Sequence, residues 1–147
     1  MRFFEALEQK VLQAIPELTL AHTWANDTLL FVQPRGWEAF EAKTPDESSG
    51  SDWAFEFHVY RLPDESLRLR AFWYDDRAGK HASVLKSVLK REFTGVDCKE
   101  SLGGSKERYD RFELGVGLNV ERLISLLNVW QRRLAEAVAQ APLEAIA

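Results

Sequence analysis

The sequence predicts an α+β domain: a mainly antiparallel sheet of about five to six strands, packed on one face by an N-terminal helix, a middle helix and a long C-terminal helix. Three patterns carry that expectation. Trp53 to Tyr74 alternates between apolar and polar side chains in two runs joined through Pro63-Asp64-Glu65-Ser66, the period-2 signature of strands with one buried face. Val120, Leu123, Ile124, Leu127, Trp130, Leu134, Val138 and Ala141 hold an apolar stripe at helical spacing. Phe3, Phe4, Leu7, Val11, Leu12 and Ile15 do the same at the opposite end of the sequence.

Taken in order, residues 2–15 make an amphipathic helix that Pro16 ends, because the residue before a proline is pushed out of the helical region. Leu18, Leu20, His22 and Trp24 alternate as a strand, and Ala25-Asn26-Asp27 supplies a turn. Thr28 to Val32 is apolar on both faces, as a central strand is. Trp37 to Lys43 fits either a short strand or a helical turn, with the strand preferred. Residues 43–52, rich in Ser with Pro45 and Gly50, read as a flexible surface loop.

The hairpin arms then fix their own pairing. A five-residue connection, Leu62 to Ser66, sets Phe55, Phe57 and Val59 opposite Trp73, Ala71 and Leu69. The other face receives Glu56, His58, Tyr60, Arg68, Arg70, Phe72 and Tyr74, with His58 opposite Arg70. A one-residue slip would mix the two sets. Asp75 to Lys80 is a turn, and Ala82 to Phe93 a helix whose C′ position is Gly95. Residues 97–107 read as loop, Tyr109 to Leu118 as a strand, and Asn119 as the N-cap of the final helix. Residues 142–147 form a short tail after Pro142.

Bulk properties narrow the function. The 147 residues fit one domain with a self-sufficient core. One cysteine, Cys98, excludes an internal disulfide framework and fits a reducing, cytoplasmic setting. The N-terminal apolar run is too short for a signal peptide, and no run is long enough for a membrane span. The net charge of −4 conceals an acidic first third and a mildly basic stretch over 75–111. An acidic chain is a poor general binder of nucleic acid, which rewards clustered Lys and Arg.

Several short patterns invite specific chemistry. Pro45-Asp46 followed by Glu56-Phe57-His58 resembles the PD-(D/E)xK nuclease signature. That resemblance implies a divalent metal held by Asp46 and Glu56 for phosphodiester hydrolysis, with His58 standing where the family has Lys. It covers only these few residues, and Asp46 falls in the Ser-rich loop. The alternative is a structural cluster of Glu56, His58 and Arg70 across the strands. Gly115-Val116-Gly117-Leu118-Asn119-Val120 precedes a helix as a dinucleotide fingerprint would, but Val120 replaces the third glycine. There the glycines are better explained as thinning the strand where the helix packs closely. Gly103-Gly104-Ser105-Lys106 lacks phosphate-loop spacing. His22, His58, His81 and Cys98 share no metal-ligand spacing.

The leading expectation is a small non-enzymatic binding or adaptor domain with no cofactor or metal. It acts on another protein, or on a second copy, through the open sheet face of Tyr60, Arg68, Arg70, Phe72 and Tyr74. The alternatives are the phosphodiesterase on Asp46, Glu56 and His58, and a nucleic-acid or anion module on Lys86, Lys90, Arg91, Lys106, Arg108 and Arg111, with the Asn119 helix start accepting an anion. Leu126 and Val129 widen the apolar sector of the last helix, which suits either a homodimer or a helix sandwiched within the fold.

Overall fold

A computed structural model describes residues 3–23, 29–33, 55–74, 82–102 and 108–140, with the first two strands described by backbone alone. The elements are α1 (Phe3–Ala14), β1 (Thr19–Thr23), β2 (Leu29–Gln33), β3 (Phe55–Arg61), β4 (Leu67–Tyr74), α2 (Ala82–Glu92), β5 (Cys98–Leu102), β6 (Arg108–Leu118) and α3 (Val120–Ala139). Among the described residues the strands form one antiparallel sheet in the order β1-β2-β3-β4-β6-β5. The described residues therefore make an α+β fold with three helices. No described helix is long and apolar enough to cross a membrane. The expected strand at Trp37 to Lys43, the loop 43–52, the turn 75–80 and the tail 142–147 lie outside the described residues.

The hairpin pairs in the register its side chains dictate: Phe55 opposite Trp73, Phe57 opposite Ala71, Val59 opposite Leu69, and His58 opposite Arg70. Its turn is closed by Leu62 N–H donating to the Ser66 carbonyl at 2.8 Å and Glu65 N–H to the Leu62 carbonyl at 2.9 Å. Glu65 takes the left-handed region, φ 69°, and the Asp64 carboxylate accepts from both the backbone and the hydroxyl of Ser66.

The core lies on the inner face of β3 and β4. Phe55, Phe57, Val59, Leu67, Leu69 and Trp73 are buried there, with Phe4, Leu7 and Val11 of α1, Leu85 and Leu89 of α2, and Leu123 and Leu127 of α3. Phe93, just beyond α2, joins three elements: its ring centroid lies 4.4 Å from that of Phe112, 4.6 Å from Trp130 and 6.4 Å from Phe55. Burial at this scale, at roughly 25 cal/mol per Å² of apolar surface, dominates the stability of a domain this size.

One expectation needs correction. Residues 98–102 are not loop but an edge strand, pairing with β6 from Cys98 opposite Phe112 to Leu102 opposite Arg108. Cys98-Lys99-Glu100-Ser101 offers no apolar alternation because an edge strand need not bury a face. The α3 stripe also departs in one detail: Gln131 is buried within it, donating to the Asn128 side chain at 3.1 Å, while Trp130 sits beside it, partly buried.

Of the two β6 glycines only Gly115 has the close-packing role expected of them; an added Cβ on Gly117 would meet nothing within 4 Å, and that residue instead takes a left-handed backbone. A Cβ on Gly115 would stand 2.7 Å from Leu126 Cδ2 and 3.0 Å from Leu118 Cδ1, so α3 seats Leu126 in a notch only glycine leaves open. That contact accounts for Leu126, whereas Val129 remains 58% exposed. Gly117, at φ +67°, sits where β6 shifts register against β4, between the pairs Leu67–Leu118 and Leu69–Gly115. Gly115→Ala is expected to cost about 1 kcal/mol in denaturant unfolding, since Leu126 must move. In a Leu126→Ala background that cost should shrink to whatever the Leu118 contact imposes; an unchanged cost in both backgrounds would refute the notch.

Candidate functional site

The outer face of the sheet assembles in two layers. The first is aromatic. The His58 ring stacks on Phe72 with centroids 3.9 Å apart and planes 20° apart, and Phe72 continues to Tyr109 at 5.5 Å and Tyr74 at 6.2 Å. His58 Nε2 lies 2.9 Å from Glu56 Oε2, and Nδ1 lies 3.2 Å from the Tyr60 hydroxyl. When Nε2–H donates to the carboxylate, Nδ1 of the neutral ring accepts from Tyr60; this tautomer satisfies both ring nitrogens.

The second layer is charged. Glu113 of β6 accepts from Arg68 through both oxygens, Nε to Oε2 at 3.0 Å and Nη2 to Oε1 at 2.9 Å. Arg70 Nε donates to the same Oε1 at 2.5 Å, and its guanidinium lies 5.2 Å from the centroid of the Tyr60 ring. Burial alone would raise the Glu113 carboxyl, but the hydrogen bonds and charges of Arg68 and Arg70 outweigh it and hold the group below the usual carboxylate range. Burial pushes the Tyr60 phenol up, against the opposing hydrogen bond and charge of Arg70. Arg68, Arg70, Asp97, Lys99, Arg111 and Glu113 line an open depression of about 180 Å³ at the β4–β6–β5 side of this face.

The sequence-predicted residues are distributed unevenly over this arrangement. Tyr60, Arg68, Arg70 and Tyr74 are half-buried, but Phe72, at 7% exposure, is buried together with Glu56 and His58. The face is thus less open than its composition suggests, because Glu56 pairs with His58, Arg68 and Arg70 pair with Glu113, and its rings stack. The expected Glu56–His58–Arg70 cluster splits: Glu56 and His58 join, while Arg70 turns to Glu113. Glu113, Lys99 and Asp97 escaped the sequence reading. Alternation along Tyr109, Arg111 and Glu113 marks them as one face of a strand, but only the β4–β6 pairing brings them beside Arg70.

The other candidates stand apart. Asp46 lies outside the described residues, and among the described residues no three His, Cys, Asp or Glu side chains group as metal ligands. On α2, Lys86 approaches Asp110 at 3.9 Å and Arg91 pairs with Glu92 at 3.0 Å, with Lys90 exposed. Asn119 caps α3 by accepting from the Arg122 N–H at 2.8 Å, so its side chain serves its own helix. Desolvation first, then Asp110 and Asp97, push the Cys98 thiol up, the opposite of the shift that activates a thiolate.

Fold and site together define a small α+β domain with an arginine–tyrosine sheet face. Compared with protein-family models, curated proteins and solved structures, the chain matches none of them.

The Arg68–Glu113–Arg70 bridge gives a pH signature. Because the folded Glu113 carboxyl titrates below the unfolded one, its contribution is whole above the ordinary value of about 4.5 and is lost as pH falls through the folded value. Glu113→Gln is expected to cost about 1–2 kcal/mol at neutral pH, where two half-buried guanidinium groups lose their shared acceptor. In strongly acid solution the two proteins should unfold alike; a gap that stays constant across the acid range would show that the bridge does not titrate with folding.

Proposed function

We propose that this chain is a non-enzymatic binding domain that recognises another protein through the outer face of its sheet. In this reading α1, α2 and α3 all lie over the inner face and leave the outer one to the partner. The observation that carries it is the fixing of Arg68 and Arg70. Both are held by Glu113, and Arg70 also lies over Tyr60, yet both border an open depression. Immobilising a long side chain on binding costs roughly 0.5–1.5 kcal/mol, and two arginines already ordered by the fold avoid most of that cost. Arg and Tyr are the side chains that most often anchor interfaces, and buried Phe72 and His58 give them a rigid floor. The single cysteine fits action in the reducing cytoplasm.

The test is capture from the native host with the whole chain as bait, comparing wild type with Arg70→Ala and Tyr74→Ala, each checked for an unchanged circular dichroism spectrum. A protein retained by wild type and at least about tenfold depleted by either variant, a loss of about 1.4 kcal/mol, is the expected result. Identical capture by all three baits, or none by wild type, would remove the sheet face from consideration. Exposed α2 cations Lys90 and Arg91 supply the control: their Ala variants should capture as wild type does.

A further inference from the structure

The depression beside Arg70 has a charge pattern that the fold alone does not explain. Lys99 of β5 and Arg111 of β6 are directly opposite in register, so two cations face each other across neighbouring strands. Like charges in that relation destabilise a sheet, by an amount comparable to the roughly 0.2–1 kcal/mol gained from a good pair. Glu113, two positions along β6 from Arg111, is already held by Arg68 and Arg70. Among the described residues neither Lys99 nor Arg111 has a carboxylate within ion-pair distance, although Asp97 also borders the depression. Four cations against two acids thus surround about 180 Å³ of open space, with Arg111 half-buried at its wall.

We propose that this depression is an oxyanion seat. It takes a carboxylate or phosphoryl group borne by the protein partner, with Lys99 and Arg111 as direct contacts and Arg68 and Arg70 as the positive wall behind them. This deepens the reading that the outer face binds a protein, and rests on it for the source of the anion. A single side-chain oxyanion fits better than a nucleic-acid strand. The positive charge is one pit bordered by Glu113 and Asp97 rather than a stripe, and the whole chain carries −4.

The experiment follows arginine Nε–Hε and backbone amide resonances of the ¹⁵N-labelled full chain during titration with inorganic phosphate and, separately, glutarate. Sodium chloride at matched ionic strength is the reference. Site-resolved shifts are read because phosphate also stabilises proteins unspecifically by exclusion from their surfaces. Saturable shifts at Arg111, Lys99 and Arg70 with either anion, weakened about tenfold or more in Arg111→Ala and in the milder Lys99→Ala, are expected. Which anion saturates identifies the phosphoryl or the carboxylate source. Shifts that merely track ionic strength, or that persist in both variants, overturn the proposal, as does tighter binding of a single-stranded oligonucleotide than of a glutamate-rich peptide. Because the titration needs no partner, it fails or succeeds independently of the capture experiment.

Discussion

The register of the β3–β4 hairpin is the constraint from which the rest of the molecule follows. Its turn, closed by Leu62 and Ser66 and bent through left-handed Glu65, sets Phe55 against Trp73 and Val59 against Leu69. A strand has only two sides, so the same pairing that gathers a continuous apolar surface for the helices places His58, Tyr60, Arg68, Arg70 and Phe72 together on the other. A shift of one residue would expose the core and bury the arginines at once.

The outer face then behaves as a second, polar packing layer. Leaving His58 at 4% exposure is tolerable because Glu56 and Tyr60 meet its two ring nitrogens and the ring lies flat on Phe72. Glu113 draws Arg68 and Arg70 together from the neighbouring strand. These contacts are geometrically demanding in a way that apolar packing is not, and they tie β6 specifically beside β4. The order of the strands is thereby written partly in charge.

What could be read from the linear chain was whatever local periodicity controls. The hairpin register, α1 ending before Pro16, the Asn119 cap and the stripe of α3 each depend on residues a few positions apart. What resisted reading depends on distant strands meeting. Glu113 stands 43 and 45 positions from its two arginines, so no spacing rule announces it. The burial of Phe72 needed Tyr109 and His58 as neighbours. Strand β5 carries no pattern of its own, since its pairing partner rather than its side chains makes it a strand. Leu126 looked like surplus greasiness until Gly115 supplied the hollow it fills.

The short outermost strand has a further consequence. Among the described residues β5 is an edge of the sheet, and an edge strand is a template on which another extended segment can grow. Exposed Lys99 and Glu100 lie on that rim and make sheet-to-sheet propagation electrostatically awkward. A lysine on such a rim disfavours strand-to-strand growth, and a neutral β-branched residue in its place would weaken that safeguard even with the fold intact.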